Sequence, residues 1–148
     1  MEGDWRFIVM IVIRDAKKED IGEARKLLSV KEIGWEGETY SSAYYWRLIN
    51  TEGGIFLVAE DGDGVIGTLH GECSVNEDWS YLTGVVVKEE CRGKGVGVAL
   101  IKRFEGIVKD RGVRMVELDA NLNTLGRFIH KLGYKKGRVF VNCRKKLK

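Results

Sequence analysis

The sequence predicts an α/β chain of the α+β kind, with a mixed, mostly antiparallel central sheet of six to seven strands flanked by about four helices. Three observations carry this expectation. Two β-rich runs meet at Asp61-Gly62-Asp63-Gly64, a hairpin signal whose glycines accept positive φ without penalty. Further on, Trp79 to Val87 passes through a glycine-rich turn into an amphipathic helix and then a second β-rich run, which is the crossover that parallel pairing needs. A doubly wound nucleotide fold would alternate strand and helix from its first element, and this chain does not.

The first strand is expected over Val9 to Arg14, with Ile11 and Ile13 alternating with Val12. Ile21, Ala24, Leu27 and Leu28 then recur at helical spacing, giving a helix from about Lys18 to Val30 that Gly34 and Gly37 break. Thr39 to Ile49 is helical again and rich in aromatics (Tyr40, Tyr44, Tyr45 and Trp46), which either line a pocket or cover the sheet. Ile55 to Ala59, Val65 to Cys73 and Trp79 to Val87 are the next strands, with a turn at Asn76-Glu77-Asp78. Leu100, Ile101, Phe104, Ile107 and Val108 form one apolar stripe, and Arg111-Gly112 ends that helix with a basic residue and a left-handed cap. Val113 to Ala120 is a parallel strand, Thr124 to Leu132 a short helix ended by Gly133, and Val139 to Cys143 the last strand.

A chain of 148 residues without prolines, repeats or linker-like segments reads as a single domain spanning residues 1–148. The first ten residues end in the apolar run Phe7-Ile8-Val9-Met10 but are too short and too poor in basic charge for a secretory signal, so residues 1–9 read as a leader or as a mis-assigned start ahead of Met10. Hydrophobic residues make up 44% and charged residues 32%, and no run reaches the roughly 20 apolar residues of a membrane span. A net charge of +3 with well-mixed signs gives no field that calls for nucleic acid, and the basic run Arg144 to Lys148 reads as a solvated end. Cys73, Cys91 and Cys143 are odd in number and have no metal-ligand spacing, so neither a disulfide framework nor a metal site is expected, and the setting is expected to be cytoplasmic.

The chemically pointed stretch is Val85 through Leu100. Three glycines at alternate positions, with Arg92 and Lys94 among them, leave backbone N–H groups unshielded beside the positive end of a helix, which describes a cradle for an anion. A Walker A loop is excluded because Gly95, not Ser or Thr, follows Lys94. A dinucleotide fingerprint counted from Gly95 and Gly97 would need a small residue where Leu100 stands, although Asp119 lies near the distance of its ribose-binding acid.

Arg92-Gly93-Lys94-Gly95-Val96-Gly97, after a hydrophobic strand and before an amphipathic helix, resembles the coenzyme motif of the GCN5-related N-acetyltransferase (GNAT) family. Ile13-Arg14-Asp15-Ala16 with Glu19-Asp20-Ile21 resembles that family's opening, and Lys131-Leu132-Gly133-Tyr134 its closing turn, so the resemblance runs from about Ile11 to Leu147. It implies acetyl-CoA as cosubstrate, no metal, and transfer of an acetyl group to a primary amine of a small molecule or protein. It also implies that the backbone of Val85, Val86 and Val87 bonds the pantetheine arm, while the N–H groups of Arg92, Gly93, Lys94, Gly95, Val96, Gly97 and Val98 hold the pyrophosphate. Asn121 and Asn123 both lie one place from the position of the family's helix-start asparagine, and Asn123 is placed in the coenzyme set. Membrane and nucleic-acid partners are not expected, and a homodimer is left open.

The family's acid, a tyrosine four residues before the glycine of the closing turn, is Ile129 here, and His130 lies about 100° further around the helix. An acceptor amine must also lose a proton before it attacks a thioester. Trp79 to Val87 offers Ser80, Tyr81 and Thr83 but no carboxylate, so Glu72, with His70 on the same strand face, is the candidate base. Glu72, Tyr81 and His130 thus form the catalytic set. Trp35, Tyr40, Tyr44 and Trp46 suggest an apolar-walled acceptor entrance, with Glu36 and Glu38 as attractors of a cation. The alternative reading is a non-catalytic CoA-binding or regulatory module of the same fold.

Overall fold

A computed structural model describes residues 10–28 and 40–148. The expectations for residues 1–9, for the glycine break at Gly34 and Gly37, and for Trp35, Glu36 and Glu38 lie outside the described residues. Among the described residues, five strands form one sheet in chain order. They are β1 (Val12–Asp15), β2 (Gly54–Asp61), β3 (Gly64–Ser74), β4 (Trp79–Val87) and β5 (Val116–Leu118). The pairs β1–β2, β2–β3 and β3–β4 are antiparallel, and β4–β5 is parallel.

The hairpin between β2 and β3 turns at Gly62-Asp63, with Asp61 paired to Gly64 and the Asp61 carboxylate accepting from the Asp63 N–H at 2.8 Å. Ser41 starts α2 (Ser42–Asn50) by accepting the Tyr44 N–H on its hydroxyl at 3.2 Å, the usual way of satisfying an orphan helix donor. The expected apolar stripe of α3 (Val96–Asp110) buries Leu100, Ile101, Phe104 and Val108 against Leu57, Leu69 and Leu82 of the sheet. On the opposite face, Ala24 of α1 (Ile21–Leu28) and Tyr45 and Leu48 of α2 pack against Phe56, Val58 and Val86. The sheet is therefore the middle of three layers, and odd and even positions of β2 serve opposite cores.

α1 is preceded by a 3-10 turn at Lys18–Asp20, so the expected helix from Lys18 begins one tight turn earlier than its α portion. Asp20 organises this entry. Its carboxylate accepts from the Arg14 guanidinium at 2.7 and 3.0 Å and from the Lys17 N–H at 2.7 Å, while Arg14 also donates to Glu60 at 3.0 and 3.1 Å. The Arg14 hydrogen bond, before all other influences, holds the Asp20 carboxyl below the usual carboxylate range. Asp20→Asn is expected to lower the unfolding free energy by about 2 kcal/mol, as loss of a charge-assisted hydrogen bond does, measured by urea denaturation near neutral pH. Because a carboxyl with a lowered pKa stabilises the fold above its unfolded pKa, the difference between variant and native chain shrinks as pH falls through the lowered value.

The sheet has five strands where six to seven are expected, and the missing one is Val139–Cys143. Val139, Phe140 and Val141 are 76%, 71% and 84% exposed and lie outside the sheet. Strand propensity needs a paired edge and a face to bury, and β5 offers an edge of only three residues. The expected strand from Val113 shortens to Val116–Leu118 because Val113 is buried in the turn after α3, its N–H donating to the Val108 carbonyl at 2.9 Å. α4 (Leu122–Leu132) begins two residues earlier than Thr124 because Asn121 caps it, and Gly133 ends it in the left-handed conformation. Among the described residues no helix is long and apolar enough to cross a membrane.

Candidate functional site

The glycine-rich stretch folds as a cradle at the head of α3. After β4, a 3-10 turn at Glu89–Cys91 leads to Arg92, whose Nε donates to the Val87 carbonyl at 3.0 Å and straps the turn to the strand end. Gly93 and Gly95 have φ of +76° and +83°, which L side chains rarely adopt. Gly95 is the N-cap of α3 and has no side chain to cap with, so the N–H groups at the helix start are presented bare. A Cβ at Gly93 or Gly95 would meet no atom within 4 Å, so the space above the turn is open. Val96 itself is buried, and the group it brings to the cradle is its N–H. A cleft of about 410 Å³ flanks the turn, lined by Leu27, Val65, Val86, Val87, Lys88 and Arg92 among others.

Next to the cradle, β4 and β5 form a fork. β5 pairs only with Ser80, Tyr81 and Leu82, leaving Thr83 to Val87 without a strand partner on that side among the described residues. The paired end is fastened: Ser80 Oγ donates to the Met115 carbonyl at 2.7 Å, and Arg114 meets the Asp78 carboxylate through its N–H at 2.7 Å and its guanidinium at 3.0 Å. At the fork, the Tyr81 hydroxyl donates to Asp119 Oδ2 at 2.6 Å. Val85 and Val87 turn their side chains into the α3-side core and Val86 into the other core, so what they offer along the open edge is backbone.

The fork coincides with a bulge. His70 pairs with Gly84 and Gly71 with Leu82, which leaves Thr83 as the extra residue of β4. His70 is 1% exposed, and a Cβ on Gly84 would lie 2.7 Å from its Cε1, so only glycine lets the imidazole tip rest on the bulge. The rings of Tyr40, Tyr45 and Tyr44 stand edge-on around it, with centroids at 5.1, 5.5 and 5.8 Å. Neither ring nitrogen has a hydrogen-bond partner among the described residues, and burial lowers the pKa to about 4. The imidazole is therefore neutral at ordinary pH. Tyr44 and Tyr45 of α2, with Tyr40 just ahead of it, thus cover the sheet around His70, although Tyr40 and, further along the helix, Trp46 keep exposed faces.

Glu72 and Tyr81 are direct cross-strand partners on the face that carries His70, and Glu72 is exposed. Burial first, and then the hydrogen bond to Asp119, push the Tyr81 phenol well above its ordinary pKa. His130 lies in the last turn of α4, exposed, and no contact joins it to Glu72 or Tyr81 among the described residues. Ile129 is half-buried. Asn121, not Asn123, caps α4, accepting the Thr124 N–H at 3.0 Å, and Asn123 is exposed in its first turn. Sequence reasoning missed the bulge, the Tyr81–Asp119 bond and the closeness of Glu117 to both; the interruption of an apolar strand by Gly84 is the signal that marks the bulge.

Comparison with known proteins gives a consistent likeness. A family model described as the acetyltransferase (GNAT) family matches residues 21–134. An uncharacterized N-acetyltransferase of Methanocaldococcus jannaschii is 29% identical over 121 residues, covering 76% of this chain and 74% of that protein. A second from the same organism is 24% identical, covering 91% of this chain and 65% of its own length. Among solved structures, a transcriptional regulator from Bacillus halodurans superposes with a TM-score of 0.78 at 19% identity, covering 92% of this chain and 100% of that one. An aminoglycoside N-acetyltransferase in complex with CoA gives 0.75 at 21% identity, covering 94% and 97%. At these identities the structural likeness speaks to the fold.

Proposed function

The chain belongs to the acetyltransferase (GNAT) family, and on that premise we propose that it moves an acetyl group from acetyl-CoA to the primary amine of a small molecule or protein by direct transfer in a ternary complex. The observation that carries this reading is the continuity of the open β4 edge, Thr83 to Val87, with the uncapped start of α3. A strand edge suits a peptide-like pantetheine arm, and bare amides at a helix start suit a pyrophosphate. The open space over Gly93 and Gly95 fits the same ligand. When bound, acetyl-CoA supplies an activated thioester carbonyl.

The rest falls to the chain. The backbone of Val85, Val86 and Val87 aligns the arm, the amides from Arg92 to Val98 fix the phosphates, and Asn123 is the remaining member of the coenzyme set. Positioning of two substrates supplies most of the rate enhancement. Glu72 accepts the proton that the acceptor ammonium sheds. Tyr81 keeps its own proton in the bond to Asp119 and orients the fork, and His130 is the candidate donor on the α4 side. Glu72→Gln is expected to lower kcat/KM at least about tenfold and to move the acidic limb of the pH–rate profile. An unchanged profile would remove Glu72 from this role.

Ile129, at the position of the family's acid, favours a second reading: a module of the same fold that binds acetyl-CoA without turnover. A panel of small amines, polyamines and peptides separates the two. Coenzyme binding with no acetylated product across the panel supports the module.

A further inference from the structure

The acceptor face carries a row of side chains that the coenzyme site does not use. The registers β3–β4 and β4–β5 set Glu72 opposite Tyr81 and Tyr81 opposite Glu117, so the three lie in one line across three strands on the face that holds His70. Gly54 stands opposite Glu72 on β2 and ends the line without a side chain. Adjacent strands are about 4.8 Å apart, which puts the two carboxylate-bearing residues about 10 Å from one another with the phenol between them. Asp119 adds a third carboxylate, bonded to that phenol at 2.6 Å. Among the described residues none of the three acids is in an ion pair. Arg47 stacks on the Tyr44 ring, 5.6 Å from its centroid, without pairing to the row.

A second observation at the head of the row is independent of the charges. His70, two residues before Glu72 on the same face, rests its ring tip over Gly84 at the bulge with both nitrogens unpartnered at 1% exposure. Native structures rarely leave such atoms without a partner unless a ligand or water completes them. Tyr40 and Tyr44, stacked at 4.4 Å, wall the same place.

We propose that the acceptor is a polycationic amine: one nitrogen reacts at the bulge beside Glu72, and a second ammonium is held at Glu117 and Asp119. The inference rests on the acetyltransferase reading and specifies its substrate class. An ammonium on an alkyl chain lies along the tyrosine, and each end meets a carboxylate. A monoamine of equal length engages one end of the row and leaves the other to water. The chain as a whole is cationic, at +3, so the row is a local reversal of sign and steers cations toward the fork.

The test uses putrescine and butylamine, which differ in the second ammonium, on the full chain with acetyl-CoA. Putrescine is expected to exceed butylamine about tenfold in kcat/KM and in affinity by titration calorimetry, with the preference shrinking at about 1 M salt, where screening acts over about 3 Å. Glu117→Gln, an isosteric change on an exposed residue, narrows the ratio to within about threefold. Asp110→Asn, the same charge change at the far end of α3, leaves the ratio as it is. Equal use of the two amines, or a preference that survives Glu117→Gln, overturns the proposal while acetyl transfer stands. Glu117-dependent binding of putrescine with no acetylated product from any amine leaves the cation site standing and removes the acetyltransferase reading.

Discussion

Gly95→Asp is expected to weaken acetyl-CoA binding at least about a hundredfold, which corresponds to about 2.7 kcal/mol, while leaving the chain folded. The position is a left-handed N-cap, with φ of +83°, and a Cβ there meets nothing within 4 Å, so the new side chain clashes with no part of the protein. The left-handed conformation costs an L residue about 1 to 2 kcal/mol, and aspartate is among the residues that tolerate it best. A carboxylate at the N-terminus of α3 is also favoured by the helix dipole by up to about 1 kcal/mol, which offsets part of that strain. The same carboxylate occupies the space and the amides that a pyrophosphate would use and repels its charge. Arg92→Glu together with Gly95→Asp deepens the loss by adding a second negative charge at the turn. Calorimetric titration with acetyl-CoA reads the binding and thermal melting reads the fold. Affinity within threefold of the native chain would place the coenzyme elsewhere.

The elements surrounding this turn were legible because their signals are local. The stripe Leu100, Ile101, Phe104 and Val108 needs only helical periodicity, and Asp61-Gly62-Asp63-Gly64 needs only the φ freedom of glycine. Val139 to Val141 misled for the complementary reason: alternation and branched residues describe a segment's preference, while pairing depends on an edge that the sequence does not display. The short β5 is the same case, since where a parallel strand leaves its neighbour is decided by the connections on both sides. The start of α4 at Leu122 rather than Thr124 differs by two residues, the ordinary uncertainty of helix boundaries.

The geometry of the glycine turn is legible because backbone chemistry defines it, whereas the meeting of side chains from distant strands is not. Gly93, Gly95 and Arg92 stand together in sequence, so the cradle could be read directly. The row Glu72, Tyr81 and Glu117 depends on two registers, and the slip of one residue at Thr83 resets which residues of β4 face which layer. Alternation places His70 on the face of Glu72, as the β3 register does, but its burial under Tyr40, Tyr44 and Tyr45 follows from how α2 and the residues just ahead of it seat on the sheet. Tyr81 and Asp119 are 38 positions apart, and no spacing rule joins them.

His70 gives the fold a stability that depends on pH in a defined window. Its folded pKa is lowered to about 4 by burial, whereas an unfolded histidine titrates near 6.5. Above 6.5 both states are neutral and the fold has its full stability. Between 6.5 and 4 the unfolded chain takes up a proton that the folded chain does not, so stability falls as pH falls, with a slope approaching 1.4 kcal/mol per pH unit and about 3 kcal/mol lost across the interval. The carboxyl groups of Asp20, Glu60 and Asp78, all held low chiefly by hydrogen bonds from Arg14 or Arg114, act in a lower window, below the ordinary carboxylate values. The two effects are therefore separable. Urea unfolding followed from pH 7 to pH 4.5 is expected to show the slope in the native chain and to lose it in His70→Leu or His70→Phe, which carry no titrating group. Each variant also removes two buried nitrogens without partners, a change that offsets part of the cost of repacking against Gly84 and the tyrosines. If the native chain and both variants lose stability in parallel over this range, the histidine is charged in the fold, and the tyrosine cage around it admits water.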